Sequence, residues 1–323
     1  MLKDYYRTRG SSADEADRAV SSIQGLERFL LNSGTVLDGA TVSQVSDYVR
    51  LLTREQRINR EVLVALARYF YLLKSHDVFV FFALMLGSRG VMENIFRRLA
   101  DSEGEDAAQA ILGDYTIPPL GTPLKEMPAR THEIMQRIEA HLSPDKCAKV
   151  LSGNNHGVPR EMILKEKEHY ERSTSLDSFL KEMHDRKVAQ LQEHCDANLV
   201  WFEQIITQDV VDFVRSNQEI LSAVRVNDKL YVTKIPFDIV HFLSETDPQK
   251  RRYHACHCPF VKESLLEGKT NVSGNWCYCS AGYEKFPFEV ILDTELEIEL
   301  LESPLLGHDR CRFAIKLPPK VLA

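Results

Sequence analysis

The sequence has no uninterrupted apolar run approaching the roughly 18 residues that a membrane-spanning helix requires. Its most apolar stretch, residues 78–86 (VFVFFALML), is about half that length and reads as a buried core helix. The first residues, MLKDYYRTRGSSADEADR, lack the apolar centre of a secretory signal. No membrane association is therefore expected. There is no phosphate-binding Gly-rich loop, no His-Glu-x-x-His helix and no Gly-x-Ser-x-Gly elbow, which sets aside the usual nucleotide hydrolysis, zincin proteolysis and esterase chemistry. Positive charge is also in short supply. With 40 Lys and Arg against 47 Asp and Glu, the net charge is -7, and broad capture of nucleic acid is not expected. Cysteine is scarce through most of the chain: of seven, five lie between Cys256 and Cys311. An odd, clustered set in a chain of this length is not a secreted disulfide scaffold, and reduced thiols in a cytoplasmic protein are expected.

What is present is an ordinary globular balance, 44% hydrophobic and 27% charged over 323 residues, enough for a substantial core and for two domains. The front half reads as successive helices. Residues 11–31 carry apolar side chains at Val20, Ile23, Leu26, Phe29 and Leu30 and stop at Asn32-Ser33-Gly34. Further helices are predicted over 43–52, 59–73, 91–99 and 105–112. Residues 113–127 (GDYTIPPLGTPLKEM) hold three prolines and two glycines and read as a linker. Helices resume over 130–141, 144–151, 160–170 and 176–183, with a longer one ending near Ala197. Asn154-Asn155-His156-Gly157 reads as a helix cap and turn.

After Val211 the pattern changes. Residues 220–226 and 229–234 flank Asn227-Asp228 as a β-hairpin, with Leu230 and Val232 on one side. Residues 296–301 and 312–317 are two more predicted strands. The expected class is α+β: a helical domain over 1–112, the linker 113–127, and a domain over 128–323 of helices on an antiparallel sheet.

The chemistry-bearing feature is the cysteine cluster. Cys256-His257-Cys258 and Cys277-Tyr278-Cys279 are two Cys-x-Cys pairs with Cys311 beyond them. Thiols at i and i+2 share a side only on extended backbone; on a helix they diverge by about 200°. Pro259 and Gly274-Asn275 support extended backbone at both pairs. Brought together, the pairs would offer zinc four sulfurs, although structural zinc sites commonly space paired cysteines more widely. Cys256, Cys258, Cys277, Cys279 and Cys311 are thus candidate metal ligands. The plainer alternative is that these thiols are small buried hydrophobes, with Cys279, Tyr283, Phe286 and Val290 forming a core stripe on a helix. Trp276, Tyr278, Tyr283 and Phe286 are candidate walls for a ligand, or else ordinary core aromatics.

Residues 276–317 resemble the 4-vinyl reductase domain, which also serves as the sensory domain of phenol-responsive transcription activators. The resemblance rests on Cys277, Gly282-Tyr283, Glu302 and the turn Gly307-His308-Asp309-Arg310-Cys311. It implies an enclosed pocket for an aromatic ligand beside a zinc ion held by three cysteines and one glutamate. Cys277 and Cys311 match two ligand positions, whereas the other two fall on Leu300 and Ser303, which cannot supply a carboxylate and a thiolate. The wider stretch from YHACHC to CRFAIKLP is similar to an uncharacterised bacterial family related to aminothiazoline-carboxylate hydrolases, which open a sulfur heterocycle. Residues 12–86 resemble the helical core-binding domain of tyrosine recombinases, through a short GTVLDGAT connection and a helix ALARYFYLL. No Arg-His-Tyr catalytic set follows, so that resemblance speaks to shape rather than to DNA recombination.

Three functions follow as expectations. The first is binding of a small, aromatic or apolar molecule beside a zinc-holding cysteine site. The second is a cysteine- or zinc-dependent hydrolase of a small heterocycle, with His254 or His257 lowering a thiol's pKa and Glu263 or Glu302 as a base. The third is a structural or interaction protein. Self-association as a homodimer is left open.

Overall fold

The computed structural model describes residues 1–202, 204–267 and 271–322. The protein is α+β, with helices throughout and a four-stranded antiparallel sheet in its C-terminal part. Two compact units emerge: Met1–Arg89 with Pro118–Glu126, and Gly90–Ile117 with Met127–Trp201 and Ile205–Ala323; 202–204 group with the first. The stretch 113–127, read from sequence as a linker, is therefore shared between the two.

The core of the first unit is built from helices. The Ser12 hydroxyl accepts from the Glu15 amide and the Glu15 carboxylate accepts from the Ser12 amide, a capping box that starts the helix Ala13–Leu31. Thr41 and Gln44 repeat the device for Val42–Arg54, and Asn59 caps Arg60–Leu72. Ile23, Leu26, Leu30, Val45, Val49, Leu63, Leu66, Phe70 and Phe82 meet in one core. The apolar stretch at 78–86 lies in the helix His76–Gly87, whose 12 residues rise about 18 Å. Taken as one stretch with the next helix, His76–Glu103 meets the length and composition of a membrane span. It is interrupted at Gly90, which is left-handed (φ 77°) and starts the separate helix Val91–Glu103.

The second unit carries the sheet. Strands β1 (Val224–Val226), β2 (Lys229–Thr233), β3 (Glu297–Glu302) and β4 (Arg312–Lys316) are ordered β1-β2-β4-β3, all neighbours antiparallel. The β1–β2 turn places Asn227 at φ 55°, a conformation asparagine tolerates. Leu230 and Val232 of β2 and Ile315 of β4 pack with Phe179, Leu180, Phe288 and Ile291. Those partners come from the helices Leu176–Asp196 and Tyr278–Ile291.

The register of this sheet sets up the site. Thr233 pairs with Arg312, so β2 ends where β4 begins, and the Lys234 amide donates to the Cys311 carbonyl at 3.0 Å. Against the same sheet end comes the start of the helix Tyr278–Ile291. Gly282 of that helix allows it to lie directly on the turn after the helix Pro144–Leu151: a Cβ there would sit 2.2 Å from the Gly153 carbonyl oxygen.

Candidate metal and thiol centre

All five clustered cysteines line one cavity of about 60 Å³. Its other walls are His156, Lys234, His257, Pro259, Phe260, Trp276, Ser280 and Pro304. Six separate stretches of chain converge there, Pro304 being one of them. Residues 256–260 supply one side as they leave the helix Pro248–Ala255; Trp276 to Ser280 supply another at the start of the next helix. Cys311 and Lys234 come from the sheet end, and His156 from the turn after Leu151.

The two Cys-x-Cys pairs reach the cavity differently. Cys256 is extended (φ −81°, ψ 121°), as its spacing and Pro259 predict. Cys277 and Cys279 are not extended: Gly274–Cys277 is a 3-10 turn that runs directly into the helix Tyr278–Ile291. The Gly274-Asn275 signal marks that turn rather than a strand. Both thiols still face the cavity because it wraps the helix start rather than one helix face.

Each sulfur has a local setting. The Trp276 indole N–H donates to Cys258 Sγ at 3.2 Å. Ser303 and Asn155, both fully buried, act on the Cys277 and Cys279 thiols respectively, each lowering the pKa by less than burial raises it. His156 Nε2 lies 3.6 Å from Cys279 Sγ, across 123 residues of sequence. Burial is the largest influence on all five and pushes their pKa values up, to about 12 for Cys279 and Cys311. The thiols add to this among themselves: Cys311, Cys256 and Cys258 raise Cys277, and Cys256 raises Cys311. Without a cation the cluster is a set of neutral thiols. Among the described residues, no three of these sulfurs lie within 4.8 Å of one another.

Two fixed positive charges act on them, Lys262 on Cys256 and Lys234 on three of the five. The Lys234 ammonium lowers Cys256, Cys279 and Cys311, although by less than burial raises them. It donates to Ser280 Oγ at 3.2 Å, and Glu284 Oε1 lies 3.8 Å away. His257 is kept neutral first by burial and then by Lys234. Its Nε2 donates to the Ile235 carbonyl at 2.5 Å, which leaves Nδ1 as the basic nitrogen.

Several residues singled out in the sequence lie elsewhere. Trp276 lines the cavity, but Tyr278, Tyr283 and Phe286 are not among its walls; Tyr283 is 37% exposed and meets the edge of His156. Phe260, not foreseen, takes their place. Glu302 is clamped by Arg310 through two bonds of 2.8 and 2.7 Å, and Glu263 accepts from the Tyr253 hydroxyl, so neither carboxylate is a free base. His254 turns to Asp238 at 3.1 Å rather than to a thiol, and His308 is exposed on its turn. Lys234 and His156 are walls that the sequence placed only as the end of a hairpin strand and as part of a helix cap. Only the Lys234 position at a strand end hinted at its role.

Residues 243–322 match the model of a family of unknown function, DUF6144. That span contains all five cavity cysteines and His257, but neither Lys234 nor His156. No curated protein and no solved structure matches the chain.

Proposed function

We propose that the cavity is a soft-metal site, with zinc as the ion, and that the protein binds a small molecule or anion at that ion. The observation that carries this is the convergence of five cysteines on one cavity together with a histidine of fixed tautomer. Thiolate and imidazole are the donors zinc prefers, and a backbone carbonyl holding the remote ring N–H is the usual support of a zinc-ligating histidine. Four thiolates around zinc carry a net charge of −2. The Lys234 ammonium offsets part of it, and metal binding would draw the sulfurs inward as their protons leave.

The volume bears on the second component. A cavity of roughly 150 Å³ holds benzene. At about 60 Å³, the space favours an ion with a small co-ligand over the aromatic ligand implied by the 4-vinyl reductase resemblance. That resemblance supports a zinc site through Cys277 and Cys311, and Leu300 and Ser303 remain unable to complete its ligand set. Cys256, Cys258, Cys279 and His257 are the replacements at hand.

A second reading, a cysteine-dependent hydrolase, is favoured by one observation: the approach of His156 to Cys279, near the start of a helix. An imidazole within reach of a thiol is the minimal activated-nucleophile arrangement. Zinc stoichiometry on protein purified under reducing conditions separates the two. The metal reading expects about one tightly held zinc per chain, lost in Cys277→Ser and Cys311→Ser. A metal-free protein whose Cys279 alone is alkylated rapidly, and only while His156 is present, supports the second reading instead.

A further inference from the structure

Outside the thiol cavity, Asp238, His241 and His254 bring three ligand atoms within 4.8 Å of one another. Asp238 is the N-cap of the helix Ile239–Ser244 and accepts from the His241 amide at 3.3 Å. Its backbone is tied to the neighbouring helix Pro248–Ala255: the Asp238 amide donates to the His254 carbonyl at 2.9 Å, and the Phe237 amide to Ala255 at 3.3 Å. The two imidazoles stack, with centroids 5.3 Å apart and planes 20° from parallel. Both turn Nδ1 to the same carboxylate oxygen, Asp238 Oδ2, at 2.8 Å from His241 and 3.1 Å from His254.

We infer that these three side chains form a second cation site, independent of the thiols, for a borderline divalent ion such as Zn²⁺. Two nitrogens converging on one carboxylate oxygen from separate helices already aim three ligand atoms at one point, and an ion there would replace the two Nδ1–H bonds, each ring keeping its proton on Nε2. With ligand bonds of 2.0–2.2 Å, tetrahedral coordination needs N···O separations of about 3.4 Å. The existing distances of 2.8 and 3.1 Å need to open by about 0.6 and 0.3 Å. Lys262, a cation that acts on His254, is engaged by the Tyr253 and Cys256 carbonyls at 2.9 and 3.0 Å. With two imidazoles and one carboxylate, the ion keeps at least one open position on the exposed side of His241 (side chain 69% exposed; His254 17%).

The site would brace the thiol cavity. His254 lies two residues before Cys256, and the helix that carries it delivers Cys256, His257 and Cys258 to the cavity wall. An ion joining the two helices fixes the origin of that segment.

Zinc titrated calorimetrically into the full chain, in wild type and in His241→Gln, tests the inference. His241 is exposed, so the variant keeps its fold, and His254→Gln gives a second line of evidence. Wild type takes up one more equivalent than either variant, or binds that equivalent at least about tenfold more tightly. The same increment persists in Cys277→Ser/Cys311→Ser, so it stands or falls apart from the thiol site. Identical stoichiometry and affinity in wild type, His241→Gln and His254→Gln would overturn it, as would loss of all zinc with the thiols.

Discussion

Replacing Gly282 by alanine sets two principles against each other and has an outcome of definite sign. Gly282 lies within the helix Tyr278–Ile291, where Gly→Ala should stabilise by up to about 1 kcal/mol through helix propensity alone. Packing opposes this. The new Cβ would lie 2.2 Å from the Gly153 carbonyl oxygen, 2.5 Å from Ser152 C and 2.7 Å from Ser152 O. All three are backbone atoms, so no rotamer change relieves the overlap; helix and turn must separate by about 1 Å. Overpacking of that kind costs typically 1–3 kcal/mol, and more where backbone has to move. The net expectation is destabilisation by about 1–2 kcal/mol, a fall in Tm of several degrees for a unit of this size. The displaced turn carries His156 and Asn155, so contact with Cys279 loosens too, and zinc affinity falls with stability. Thermal unfolding followed by circular dichroism, alongside zinc titration, reads both. An unchanged or raised Tm would refute the close approach of helix and turn on which this side of the cavity depends.

Three further expectations follow. Glu219 is held below the ordinary carboxylate range, first by its two 2.8 Å bonds from Arg312 and then by the Thr233 hydroxyl. With its folded pKa depressed, its contribution is fully present above about pH 4.5 and is lost as pH falls through the folded value. Urea unfolding of wild type should therefore weaken between pH 5 and pH 3 more steeply than that of Glu219→Gln; parallel profiles would contradict the pairing. Cys277→Ser and Cys311→Ser should each lower Tm in zinc and reduce bound metal, with little difference between variant and wild type once metal is chelated; unchanged metal content in both would count against their role as ligands. Zinc uptake in weak buffer at pH 7 should release protons, about one for each thiol engaged, since burial holds Cys279 and Cys311 near 12. Uptake without proton release would place the ion on imidazole and carboxylate instead.

Much of the architecture was legible because local signals and long-range packing agree. Ser12, Thr41 and Asn59 mark helix starts, and the apolar stripes of those helices are the faces buried together. The hairpin at Asn227-Asp228 and the strands at 297–302 and 312–316 were foreseen within a few residues. Helix junctions were less legible. The two helices read over 176–183 and up to Ala197 are one, Leu176–Asp196, since the charged interval between them is simply its solvated face.

The candidate site divides along the same line. Convergence of the cysteines was readable from their clustering, but its geometry was not. A Cys-x-Cys pair carries no information on whether a 3-10 turn precedes it, so the backbone of Cys277–Cys279 was misjudged. The aromatic stripe through Tyr283 and Phe286 assumed a buried helix face there. The turn at Gly153 meets the helix at Gly282 instead, and Tyr283 is left at the edge. Lys234 and His156 owe their places to strand register and to that same contact, both set by partners many residues away.

Cobalt substitution of the purified chain tests the central proposal most directly, because thiolate-to-cobalt charge transfer appears only when sulfur is bound to the ion. One equivalent of Co²⁺ should give intense near-ultraviolet absorption with the visible bands of a tetrahedral site, displaced by zinc and diminished in Cys277→Ser and Cys311→Ser. A cobalt spectrum with no thiolate band, or one indifferent to both substitutions, would contradict a metal centre in the cysteine-lined cavity.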